Sequence, residues 1–129
     1  MKKIILTLVL FTSVFFFRQN VNAQTGNTTP TLFRHIVIIT FKSDAPADSI
    51  KALDDLYRSL SKHPMVKAFE MGVSMSMRDS GIVKHVYVTS FAAKDDMNSY
   101  RKIPEYPQLF KMSLPIAEDV TVADYWANQ

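Results

Sequence analysis

Two runs of alternating apolar residues, each opened by a histidine, limit what this chain can fold into: His35–Lys42 and His85–Phe91. In the segment Leu32–Lys42, Phe33, His35, Val37, Ile39 and Phe41 share one face by period-two parity. Arg34, Ile36, Ile38, Thr40 and Lys42 share the other, which is apolar in its middle, so the strand is expected to be buried on both sides. Ile82–Ala92 repeats the arrangement, with Val83, His85, Tyr87, Thr89 and Phe91 on one face and Val86 and Val88 opposite. Val66–Ser76 reads as a weaker strand interrupted by Gly72, a bulge signal, and Val120–Trp126 as a fourth.

Between these strands the apolar period changes to that of a helix. Ser43-Asp44-Ala45-Pro46 stops the first strand; Pro46 suits a first helical turn and Asp48 the positive end of the helix dipole. Ile50, Leu53, Leu56, Tyr57 and Leu60 form the buried stripe, with Lys51, Asp54, Asp55 and Arg58 expected on the solvent side. His63-Pro64 ends the helix, because a residue before proline avoids the α region. Lys94-Asp95-Asp96 opens a second helix carrying Met97 and Tyr100, Pro104 and Pro107 break it, and a third helical stretch runs from about Gln108 to Glu118. The order strand-helix-strand, twice over, specifies an α+β fold: a ferredoxin-like βαββαβ unit with a four-stranded antiparallel sheet. Helices cover one face of such a sheet. The other keeps Ile36, Ile38, Val86 and Val88, which a second copy of the chain would cover sheet against sheet, so a homodimer is expected.

The N-terminus reads as an address. Lys2 and Lys3 precede an apolar run, Ile4 to Phe17, and Val21-Asn22-Ala23 supplies small residues for cleavage before Gln24. The run is shorter than the roughly 20 residues a membrane span needs. The expected division is a signal peptide over 1–23, a flexible lead-in over 24–31 and one domain over 32–129, in an exported protein, periplasmic or secreted, with no membrane attachment after cleavage. Lys2, Lys3 and Arg18 leave with the signal, so the 15 basic residues fall to match the 12 acidic ones and the formal charge of +3 falls to zero. No basic stripe remains to hold nucleic acid. The chain has no cysteine, so a core rather than disulfides must hold the domain.

The His35-Ile-Val strand ending in Phe41-Lys42, the Lys84-His85 strand ending in Phe91, the acidic helix start at Asp95-Asp96, Tyr100 with Pro104 four residues on, and the closing Asp124-Tyr125 together resemble the stress-responsive α/β-barrel domain family. The resemblance covers about Leu32 to Tyr125. It implies a dimeric α/β barrel in which two sheets face each other, with a cavity between each sheet and its helices. The olivetolic acid cyclase-like members of that family perform an aldol condensation without metal or organic cofactor, using a tyrosine and a histidine around a Tyr-x-x-x-Pro-x-His segment. Carried over, the tyrosine falls on Tyr100 and the proline on Pro104, while Tyr106 stands where the histidine is expected. His35 and His85 match the two strand histidines of that cavity, and Tyr57 a tyrosine on its first helix.

Tyr100, His85, His35 and Tyr106 are therefore the candidate catalytic residues. Tyr57, Val37, Ile39, Tyr87 and Leu53 are the candidate ligand-binding residues. Proton abstraction beside a carbonyl suits histidine, which titrates near neutrality unperturbed, better than tyrosine, which titrates near 10. If the two histidine strands are neighbours, His35 and His85 are placed to work as a pair. Histidines at 35, 63 and 85 have no metal-ligand spacing, so no metal is expected. Three glycines without a phosphate loop, and no Gly-x-Ser-x-Gly elbow, leave nucleotide binding and serine hydrolysis unsupported and no cofactor expected. The expected function is binding of a small apolar or polyketide-like molecule between sheet and helices. The alternative is a cofactor-free cyclase, isomerase or monooxygenase using His/Tyr acid–base chemistry, and the third reading is a purely structural dimer.

Overall fold

Alternation in Phe33–Phe41 translates directly into a strand, β1, whose odd positions are all buried and whose even positions are half-buried. The computed structural model describes residues 31–75 and 77–127. The expected signal peptide, and all of the lead-in but Thr31, lie outside them. Helix α1, Ala47–Leu60, follows, with Pro46 in extended conformation as its N-cap rather than inside the first turn. Next come β2 (Val66–Val73), a single 3-10 turn (Met77–Asp79) and β3 (Lys84–Phe91). Helices α2 (Lys94–Tyr100) and α3 (Tyr106–Ser113) then lead to β4 (Ala117–Trp126).

The third helix ends earlier than its sequence pattern predicts, and β4 begins three residues earlier. Ser113 caps this end locally, its hydroxyl donating to the Phe110 carbonyl, and the Ile116 amide turns back to the Ser113 carbonyl. β2 pairs regularly through Gly72; the irregularities lie between Val66 and Ala68 and between Thr40 and Phe41.

The sheet order is β2-β3-β1-β4, antiparallel throughout, as a ferredoxin-like unit requires. All helices lie on one face. Between them and the sheet, Phe33, Ile39, Phe41, Leu53, Tyr87, Phe91, Met97 and Tyr100 form the core. The register aligns inward-facing residues in rows across the strands. Thr89, His35 and Asp124 make one row; Tyr87, Val37 and Val122 the next; His85, Ile39 and Val120 a third. The outward face carries Ile36, Ile38, Val86 and Val88, each half-buried.

Register separates the two strand histidines. β1 and β3 are neighbours, but His85 lies opposite Ile39, four residues along from His35. At about 3.3 Å per residue that is roughly 13 Å along the strands. They do not form a pair.

Candidate functional site

A cavity of about 180 Å³ opens between the β1–β4 side of the sheet and helix α3. Val37, Ile39, Val120 and Val122 form its sheet wall, and Leu109 and Phe110 its helix wall. The polar groups that reach it are His35, Arg101, Tyr57, Tyr106 and Ser113. Period-two parity puts His35, Val37 and Ile39 on this face. Antiparallel pairing then lays Asp124 of β4 beside His35.

His35 Nδ1 lies 2.5 Å from Asp124 Oδ1, with the histidine side chain 6% exposed and the carboxylate 31%. A carboxylate only accepts, so Nδ1 carries the hydrogen and donates it. That leaves Nε2 as the nitrogen available to a ligand. Arg101 Nη2 donates to the other oxygen, Asp124 Oδ2, at 3.3 Å, and lies 3.4 Å from His35 Nδ1. Because Nδ1 already donates, this last approach is two donors gathered around one carboxylate. Arg101 caps the C-terminal end of α2, so the chain turn after Tyr100 delivers the guanidinium here.

Tyr57 presents its ring from α1. Burial, and then the neighbouring Tyr106 and Tyr100, push its hydroxyl well above the ordinary tyrosine range, so it stays protonated and can donate a hydrogen bond. Tyr106 enters from the first residue of α3, its ring edge-on to Tyr100 at 5.4 Å.

Of the residues expected at the site, His35, Tyr106, Tyr57, Val37 and Ile39 line this cavity together, and Tyr100, His85, Tyr87 and Leu53 do not. Tyr100 is 2% exposed and packs against Phe91 at 5.3 Å, and burial raises its hydroxyl too. Leu53 and Tyr87 are fully enclosed. His85 belongs to a separate buried group. Asp54 Oδ1 accepts from His85 Nδ1 at 2.9 Å and from the Tyr87 hydroxyl at 2.7 Å. Tyr87 stacks on Tyr57 with centroids 3.7 Å apart, so this cluster backs the cavity wall without entering it. Asp54 therefore lies inside, not on the solvent side of α1. It sits four residues after Ile50 and three before Tyr57, on the apolar stripe itself; its polarity had masked its position.

Asp124 and Arg101 were not among the residues singled out for chemistry. A usable signal existed for Asp124, a carboxylate sharing strand parity with Val120 and Val122. Arg101 and Lys102 are positive charges close in sequence to Tyr106, but nothing in the sequence says that either points inward. Among the described residues, no group of three or more His, Cys, Asp or Glu side chains is arranged to hold a metal ion. No helix among them is long and apolar enough to cross a membrane.

No curated protein matches the chain in sequence. Solved structures do. A hydroxynitrile lyase from Passiflora edulis superposes with a TM-score of 0.68 at 25% identity, over 78% of this chain and 96% of that one. A Dabb-family protein with a ferredoxin-like fold from Mesorhizobium loti gives 0.63 at 21% identity, over 77% and 99%. A dimeric ferredoxin-like protein from Thermobifida fusca gives 0.65 at 15% identity, over 77% and 93%. The strand register, the helices on one face and the inward histidines all fall within residues 33–127, the span matched by the model of the stress responsive A/B barrel domain, and the chain belongs to that family.

Proposed function

We propose that this protein is a cofactor-free acid–base enzyme acting on a small hydroxyl- or carbonyl-bearing molecule held between the sheet and α3. The observation that carries the reading is the His35–Asp124 pair at the edge of an apolar cavity, with Arg101 on the second carboxylate oxygen. Asp124 holds one tautomer, and His35 Nε2 accepts a proton from the ligand. Asp124 balances the imidazolium that forms, and Arg101 lies close enough to favour negative charge developing on the ligand. For a hydroxyl compound, Nε2 takes the hydroxyl proton and the oxygen's electron pair forms the C=O bond. The adjacent C–C bond breaks, and its pair leaves with the departing carbon as an anion. The addition runs the same steps backwards. Tyr57 and Tyr106 supply hydroxyl donors to the oxygen.

The Passiflora edulis relative is named as a hydroxynitrile lyase, and a retro-addition of this kind is the chemistry a hydroxynitrile undergoes. Aldehyde release from a panel of hydroxynitriles and β-hydroxy ketones, followed by absorbance, tests the reading. Turnover that disappears in His35→Gln supports it. Turnover equal in the two proteins, or none with any compound, rejects it.

A second reading, binding without turnover, is favoured by the mostly apolar walls of the cavity. Either way, the functional unit is taken to be an exported homodimer joined through the apolar sheet face. Dimeric relatives of this fold from Thermobifida fusca and Bacteroides fragilis support the dimer, and the N-terminal sequence supports export.

A further inference from the structure

The cavity at His35 does not end where its polar groups end. A second hollow of about 220 Å³ adjoins it, lined by Phe110, Ser113, Leu114, Ala117, Glu118, Asp119 and Val120. Phe110, Ser113 and Val120 line both, so the two hollows lie side by side as a groove along α3 and β4. Its polarity is graded. At one end stand His35, held by Asp124, with Arg101, Tyr57 and Tyr106; beyond them only apolar side chains and one serine hydroxyl face each other. That hydroxyl is already committed to the Phe110 carbonyl. At the far end stands Glu118; the Asp119 carboxylate turns to the outward sheet face, where it accepts from the Thr121 hydroxyl.

The apolar banks are left open. Phe110 is 65% exposed, Leu114 57%, Val120 46% and Val122 50%. On β4, Asp124 and Val120 are four residues apart, roughly 13 Å of extended strand, and the second hollow begins there. A compact ring system filling the first cavity would leave those banks wet. An anionic tail would meet Glu118.

From this we infer that the ligand is a linear amphiphile: a hydroxyl or carbonyl head at His35 and Arg101, and an unbranched, uncharged aliphatic chain running past Phe110 and Val120 into the second hollow. This rests on the proposed site at His35 and adds the chemical class of its ligand. The groove selects by chain length, because each methylene laid between α3 and β4 removes apolar surface from water on both sides until the chain reaches the acidic end.

The test is a calorimetric binding series with straight-chain alcohols, n-butanol to n-decanol, on the wild-type protein and on Leu114→Glu and His35→Gln. Leu114 is exposed, so its replacement does not disturb the core. Affinity is expected to tighten about fourfold per added methylene and then to level off where the groove ends. Leu114→Glu is expected to flatten the upper part of the series, and His35→Gln to weaken every member by a similar factor. A series flat in chain length, or one whose slope survives Leu114→Glu, overturns the tail assignment; a uniform loss in His35→Gln would then leave the head site standing. A slope that persists with no effect of His35→Gln keeps the tail and removes the head. No binding by any alcohol rejects both. Conversion of a dimer to a monomer by Leu114→Glu also overturns the inference, since the groove would then be covered by a second copy.

Discussion

Replacing Asp54 should damage the fold far more than replacing the aspartate beside it. Asp54 Oδ1 accepts from both the Tyr87 hydroxyl and His85 Nδ1, and Tyr87 is fully buried. Asp54→Ala strands both donors in the core. Each lost partner costs about 1–3 kcal/mol, and breaking a buried charged pair in general costs about 3–5 kcal/mol, so about 3–5 kcal/mol is the expected total. For a domain of this size, at about 4–8 °C per kcal/mol, the thermal midpoint should fall by roughly 12–40 °C. Asp54→Asn keeps an acceptor oxygen for Tyr87 and should lose less. Asp55 is half-exposed, with Lys51 at 2.5 Å and Arg58 at 3.1 Å, and Asp55→Ala should leave the midpoint nearly unchanged. The assay is thermal and urea unfolding followed by circular dichroism at one protein concentration, because dimerisation would make the midpoint concentration-dependent. Equal shifts for Asp54→Ala and Asp55→Ala would refute the argument that a buried carboxylate organises this half of the core.

Asp124→Asn should cut any acid–base turnover by roughly 10²–10⁴-fold with little loss of substrate binding, because an amide no longer fixes the His35 tautomer; unchanged kcat would remove Asp124 from the mechanism. Burial raises the hydroxyls of Tyr57, Tyr87 and Tyr100 above the usual range, with the Asp54 hydrogen bond adding to the effect at Tyr87. The folded state therefore holds these protons more tightly than the unfolded chain. Stability present below about pH 10 is lost as the pH rises toward the folded-state values. Tyrosinate absorbance in the folded protein should omit these three of the five tyrosines until unfolding releases them, and a single titration of all five near pH 10 would contradict it. Val88→Glu, on the outward sheet face opposite Ile36, should convert a dimer to a folded monomer in sedimentation; an unchanged dimer would place the interface elsewhere.

Element types and order were legible in the sequence because two signals agreed at each point. The odd positions of β1 are buried and, His35 apart, apolar, and the stripe of α1 holds from Leu53 to Leu60. The site was only half legible. Parity placed His35, Val37 and Ile39 on the inward face, but pairing register, a property of two strands together, decided that His35 meets Asp124 and not His85. Asp54 was misplaced because polarity was read as exposure, although its spacing matched the stripe. Tyr100 fits the family pattern in sequence, yet its ring is enclosed between Phe91 and Tyr106, a matter of packing that no spacing rule reports.

The exposure of β4 divides the cavity into two kinds of wall. Ile39 and Tyr57 hold the fold and line the site at once, so altering them risks both. Every residue of β4 after Ala117 is exposed, including Val120 and Val122, which also line the site. Exchanging a side chain there costs little stability while changing what a ligand meets. A lineage built on this scaffold can change its ligand by substitutions on one edge strand and leave the core untouched. Wide sequence divergence over a constant architecture is the expected evolutionary record of such a wall.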